Sequence, residues 1–116
     1  MKVFDEVVDT LYNQLMETAT KEGYSPHIYL NHHGTGTNFR NNLKLWWSPD
    51  WNEPKPAIVE FFNSKNIYHA DDMSGCIMEA LEARVGNKEF DFDTHIQIYF
   101  LHWKQAGFKD GIYKPN

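Results

Sequence analysis

The stretch IYHADDMSGCIMEALEARVG, residues 67–86, decides the fold. Met73, Ile77, Leu81 and Val85 recur at every fourth position, and Gly86 follows the last of them. That period lays an apolar stripe along a helix, and a glycine just beyond it is a stop signal. Ahead of the stripe stand His69, Asp71 and Asp72. An acid at a helix start accepts hydrogen bonds from the free backbone N–H groups and opposes the positive end of the helix dipole. Asp71 or Asp72 as N-cap therefore accounts for the acids without any ligand. The competing reading makes His69, Asp71 and Asp72 candidate metal ligands, or a general base with its orienting acid. Paired ligands on one helix face fall at i and i+4, whereas these fall at i, i+2 and i+3 ahead of the helix, so capping is the simpler account.

Working outward, Phe4, Val7, Val8, Leu11 and Leu15 recur at spacings of three and four, and Gly23 ends the pattern. This predicts an amphipathic helix near residues 3–22. Ser25 and Pro26 read as cap and first position of a short helix, and Thr35 or Thr37 as cap of a brief segment over NFRNNLKLWW. Pro49, Pro54 and Pro56 crowd one loop too short to link domains. AIVEFFNS predicts a helix near 57–64 with Ile58, Phe61 and Phe62 inward. Beyond the opening helix, read as 71–85, Ile96, Tyr99, Phe100 and Trp103 predict a last helix near 92–106, closed by Gly107. The fold class expected is mainly α: one globular domain over residues 1–116, a bundle of about five helices joined by short loops. The alternative is α+β, with a small sheet from residues 27–32 and 43–47.

The whole-chain composition narrows the function classes. At 116 residues with 16% aromatics, the chain can bury a sufficient core without disulfide or metal staples. Its formal charge of −5 disfavours binding to phosphate backbones and favours a basic protein partner. Cys76 is the only cysteine, which excludes an intrachain disulfide and a cysteine-rich zinc site and fits a reducing compartment. The opening MKVFDEVVDTL is acidic and amphipathic, unlike a signal peptide. No run approaches the ~20 apolar residues of a membrane span. The expected location is the cytoplasm.

Other chemistry-bearing residues are sparse. His32 and His33, beside GTGT, join His69 as weak metal candidates, but they lack a ligand-spacing motif. The glycines there lack the Lys-Ser/Thr ending of a phosphate loop. His95 and His102 share a face of the last helix without a third ligand. FRNNLKLWWSPDW sets Arg40 and Lys44 among Trp46, Trp47 and Trp51. Such interleaving can stack single-stranded nucleic acid, but the acidic balance opposes that. The plainer reading buries Trp46 as a core anchor with Arg40 paired to an acid such as Asp71. Three tryptophans so close rarely all bury, which leaves Trp47 or Trp51 for a protein interface.

Three motifs, RNNLKLW at 40–46, HADDMSGCIMEAL at 69–81 and FDFDTHIQIYFLHW at 90–103, together resemble a family of small bacterial proteins of unknown function. The family pattern is RNN-x-x-LW, then His-Pro-Asp-Asp-Met/Ala-Ser-Gly, then a last helix with Gln-Ile ahead of Tyr and Trp. The resemblance spans residues 32–104 and departs at Ala70, where the family has proline. It implies a mainly helical fold and ties Arg40, Asn41, Trp46, His69, Asp71, Asp72 and Ser74 into one constellation, without implying an activity. Charge taken out of water must be paired, so Arg40 is expected to bridge to Asp71 or Asp72 under Trp46. Removing Arg40 from such a pair would leave an uncompensated carboxylate and cost on the order of 3 kcal/mol.

The function expected is a small acidic interaction module that binds another protein, as inhibitors and immunity proteins of bacteria and phages do. Arg40, Trp46, Trp47 and Trp51 are its candidate contact residues, and no cofactor or metal is expected. A ligand-binding domain or metal-dependent enzyme using His69, Asp71, Asp72 and Arg40 is the alternative. A DNA mimic displaying Asp5, Asp9, Glu17, Glu79, Glu82, Glu89, Asp91 and Asp93 is less well supported, because scattered acids ordinarily just solvate a surface.

Overall fold

The computed structural model describes residues 1–27, 30 and 40–115. Its helices with described bounds are α1 (Lys2–Glu22), α2 (Ala57–Ser64), α3 (Ala70–Val85), α4 (Phe92–His95) and α5 (Gln97–Gln105), and Arg40, Asn41 and Asn42 are helical as well. There is no strand among the described residues. The sheet considered from sequence does not form at 43–47, where residues 43–46 are turns. Pro26, His27 and Leu30 are helical, and the rest of 27–32 lies outside the described residues, as do Thr35 and Thr37.

The helix α1 forms because its apolar residues repeat on one side, and it buries Phe4, Val8, Leu15 and Ala19. Val7 and Leu11 flank that stripe and are only half-buried. Gly23 ends the helix at φ 79°, donating its N–H to Thr20, while the Tyr24 N–H reaches the Ala19 carbonyl at 2.9 Å. That double closure satisfies two orphan carbonyls and needs the left-handed backbone that glycine adopts without strain. The end of α3 departs from expectation. Gly86 keeps a negative φ of −82°, and the left-handed residue is Asn87 at φ 55°. Asparagine is the other residue that tolerates this region, so the stop falls one position later.

Phe4 sits at the centre of the core, with the rings of Phe61, Phe62, Phe90 and Phe92 at centroid distances of 5.1 to 6.0 Å. It thereby joins α1 to α2, α4 and the loop before α4. α3 contributes Met73, Cys76, Ile77 and Leu81, all essentially inaccessible. Burial in this apolar setting pushes the Cys76 thiol up to about 12.

The predicted last helix is two helices with a break at Ile96. Asp91 caps α4 by accepting from the Thr94 N–H at 3.2 Å, and Phe92 and Ile96 are buried. α5 buries no residue fully; Tyr99, Phe100 and Trp103 are half-buried, while Ile98 and Leu101 face outward.

Candidate functional site

The start of α3 is capped by His69, not by either acid. The His69 ring Nδ1 accepts the Asp71 N–H at 3.1 Å, and the His69 carbonyl accepts the Met73 N–H at 3.1 Å. The helix consequently begins at Ala70, and Asp71 and Asp72 fall in its first turn, where the helix dipole still favours a negative charge. Buried Ser74 completes the turn by donating its hydroxyl to the Asp71 carbonyl at 3.1 Å.

Each acid has a separate partner. Arg40 Nη1 donates to Asp71 Oδ1 at 2.9 Å, tying the segment before the tryptophans to the helix start. Trp103 Nε1–H donates to Asp72 Oδ2 at 2.7 Å, tying α5 to the same turn. Burial raises the Asp72 carboxyl above its ordinary value, and the Trp103 hydrogen bond pulls it part of the way back. The Arg40 guanidinium lies 6.0 Å from the centroid of Trp46, so the tryptophan, itself exposed, borders the ion pair instead of covering it. Asp71 nonetheless keeps 57% of its side chain exposed. The pair is a surface contact on the acid's side.

His69 is walled by aromatic rings: Tyr113 at 4.9 Å, Trp103 at 5.5 Å and Trp46 at 6.1 Å between centroids. The three motifs distant in sequence thus meet here, through Arg40 with Asp71, Trp46 with His69, and Trp103 with Asp72. Sequence reading missed Tyr113. Its signal was Asp110-Gly111, a turn pair that brings the tail back. Gly111 adopts φ +76°, and a Cβ there would lie 2.6 Å from the Phe100 carbonyl oxygen. Only glycine allows the tail to press so closely on α5 and deliver Tyr113 to His69.

The loop after Arg40 supplies the second half of the site. Leu45, not Trp46, is the core anchor, with its side chain buried and its N–H bonded to the Arg40 carbonyl at 2.9 Å. Trp47 is half-buried and donates Nε1–H to the Glu53 carbonyl at 3.0 Å, while Lys44 pairs with the Glu53 carboxylate at 2.9 Å. These contacts close residues 44–53 into a compact loop. Trp46 and Trp51 are left on its outside, 49% and 43% exposed.

His95 Nε2 bonds the Tyr99 hydroxyl at 2.8 Å, and His102 is exposed against Trp103. His32 and His33 lie outside the described residues. Among the described residues, no group of three His, Cys, Asp or Glu side chains is placed to hold a metal ion. Nor is any helix there long and apolar enough to cross a membrane.

Fold and site together define a small helical domain with an aromatic cluster at one helix start and a closed loop presenting two tryptophans. The chain belongs to the family described as a domain of unknown function, DUF6794, whose family model matches residues 3–85. The match takes in α1, which the three-motif resemblance left unaligned, and stops before α4 and α5. No curated protein and no solved structure matches the chain.

Proposed function

We propose that this protein is a cytoplasmic protein-binding module of the inhibitor or immunity type, and that its contact surface is built on Arg40, Trp46 and Trp51 with Trp47 as the internal brace. The observation that carries the reading is the pair of exposed tryptophans on one closed loop. Exposed large aromatics cost solvation free energy in the free protein, and tryptophan and arginine supply much of the binding energy where interfaces form. The loop is held by the Lys44–Glu53 pair and the Trp47 hydrogen bond, so little ordering cost remains at association. The −5 charge selects a basic partner and speeds encounter with it.

The enzyme alternative is less well supported, because each candidate group already has a structural task. His69 Nδ1 caps α3, Asp71 pairs with Arg40, and Asp72 holds Trp103. A DNA mimic is weakened where Asp9 is neutralised by Arg84. The three motifs that carry the resemblance supply the groups that meet at this site, which suits a contact surface built on them.

The test compares immobilised wild type with the Trp46→Ala/Trp51→Ala double variant. A basic protein retained by wild type is purified and titrated against both by calorimetry. The reading expects hot-spot behaviour, a loss of about 2 kcal/mol or more, equivalent to roughly 30-fold in Kd. Equal binding by the two, with unchanged circular dichroism, refutes it.

A further inference from the structure

We propose that the cavity behind Trp46 and Trp47 is a binding site for a small planar aromatic carboxylate. The cavity holds about 390 Å³ and lies between the tryptophan loop, α2, the start of α3 and the C-terminal tail. That volume falls in the range of small-molecule sites. Among the described residues, five aromatic side chains line it: Trp46, Trp47, Tyr68, His69 and Tyr113. Flat rings on several walls favour a flat guest, through stacking and edge-to-face contacts.

Charge selects the rest of the ligand. In a chain with 16 acids and 11 basic residues, no Asp or Glu among the described residues lines this cavity, and Lys55 is the one lysine or arginine among them that does. The Lys55 ammonium is held 5.3 Å from the Trp47 centroid and donates to Asn63 Oδ1 at 3.0 Å, leaving further N–H donors for an anion. His69 adds a neutral donor. Its Nδ1 accepts from Asp71, so the neutral ring carries its proton on Nε2. No buried polar side-chain atom among the described residues lacks a partner, and Nε2 has none there, so it reaches solvent. An ammonium facing a guest without any carboxylate opposite favours an anion and repels a cation.

The cavity shares Trp46 and the brace Trp47 with the docking surface but not Trp51, which does not line it. Three naphthalene probes test it by amide NMR titration of ¹⁵N-labelled protein: 2-naphthoate, the neutral 2-naphthamide and the cationic 2-naphthylmethylammonium. The expected result is saturable shifts at residues 45–49, 68–73 and 113 with naphthoate, and binding about tenfold weaker or worse for the other two. Lys55→Met, which keeps the apolar stem, brings naphthoate down to the naphthamide level. Trp51→Ala leaves naphthoate binding unchanged. Absence of saturable shifts, equal binding of naphthamide, or preference for the cation overturns the proposal on wild type alone. Loss of naphthoate binding in Trp51→Ala also overturns it, because the guest would then sit on the outer surface.

Discussion

His69 does two things at once: it caps α3 through Nδ1 and packs its ring against three aromatics. Removing a capping side chain typically costs ~1 kcal/mol. His69→Ala is expected to lose at least about that much in denaturant unfolding, and His69→Asn, which retains a capping acceptor, to recover part of it. The Arg40–Asp71 pair carries less than a buried pair would, because water screens the exposed carboxylate. A double-mutant cycle of Arg40→Ala with Asp71→Asn should give a coupling of about 0.5–1 kcal/mol, and Arg40→Ala alone should cost well below the ~3 kcal/mol expected for a buried pair. Strict additivity would mean the ion pair contributes nothing. Asp72 gives the pH dependence. Its carboxyl is raised by burial above the ordinary 3.8, so the folded protein retains a proton that the unfolded chain has released just above that pH. Stability therefore falls as pH rises through that window. Asp72→Asn keeps an acceptor for Trp103 and removes the slope, and should be more stable than wild type at neutral pH in parallel urea titrations. An unchanged slope would assign the pH dependence elsewhere.

At the scale of elements, the stripe of α3 and the outer face of α5 make opposite predictions from similar residues. Ile77 is fully buried, and Ile77→Ala should cost about 2–4 kcal/mol through lost transfer and a residual cavity. Leu101 is 60% exposed, and Leu101→Ala should stay within about 0.5 kcal/mol of wild type. The three long-period helices were legible in sequence because their apolar spacing is set by the core they share. The break at Ile96 was not, because Ile96, Tyr99, Phe100 and Trp103 keep helical spacing across it. What the period cannot show is that Asp91 opens a separate turn to bury Phe92. The tail was illegible for a different reason: it has no period at all, and its place depends on one close approach. Gly111→Ala forces a Cβ against the Phe100 carbonyl and strains a left-handed residue, at about 1–2 kcal/mol. It should also change the fluorescence of Trp103, which packs 4.6 Å from Tyr113.

Over the whole molecule, three sequence-distant motifs converge on one helix start, and the loop beside it presents its tryptophans outward. The pairing of Arg40 with an acid of the DD step was expected from the resemblance, which ties these residues into one constellation, and it forms with the carboxylate still in water. The cap could not be read in advance, because histidine is an unusual N-cap and two better capping residues follow it. Nor could the division of labour among Trp46, Trp47 and Trp51: their order in sequence does not reveal that Leu45 takes the core position and turns its neighbour outward. The indole N–H groups report that division directly. Trp47 Nε1–H is bonded to Glu53 and Trp103 Nε1–H to Asp72, whereas those of Trp46 and Trp51 make no hydrogen bond to the described residues. Hydrogen exchange of ¹⁵N-indole signals, assigned by single Trp→Phe variants, should show Trp47 and Trp103 protected and Trp46 and Trp51 exchanging freely. Fast exchange at Trp47, or protection at Trp46 and Trp51 in the isolated protein, would contradict a braced loop that holds two tryptophans out for a partner.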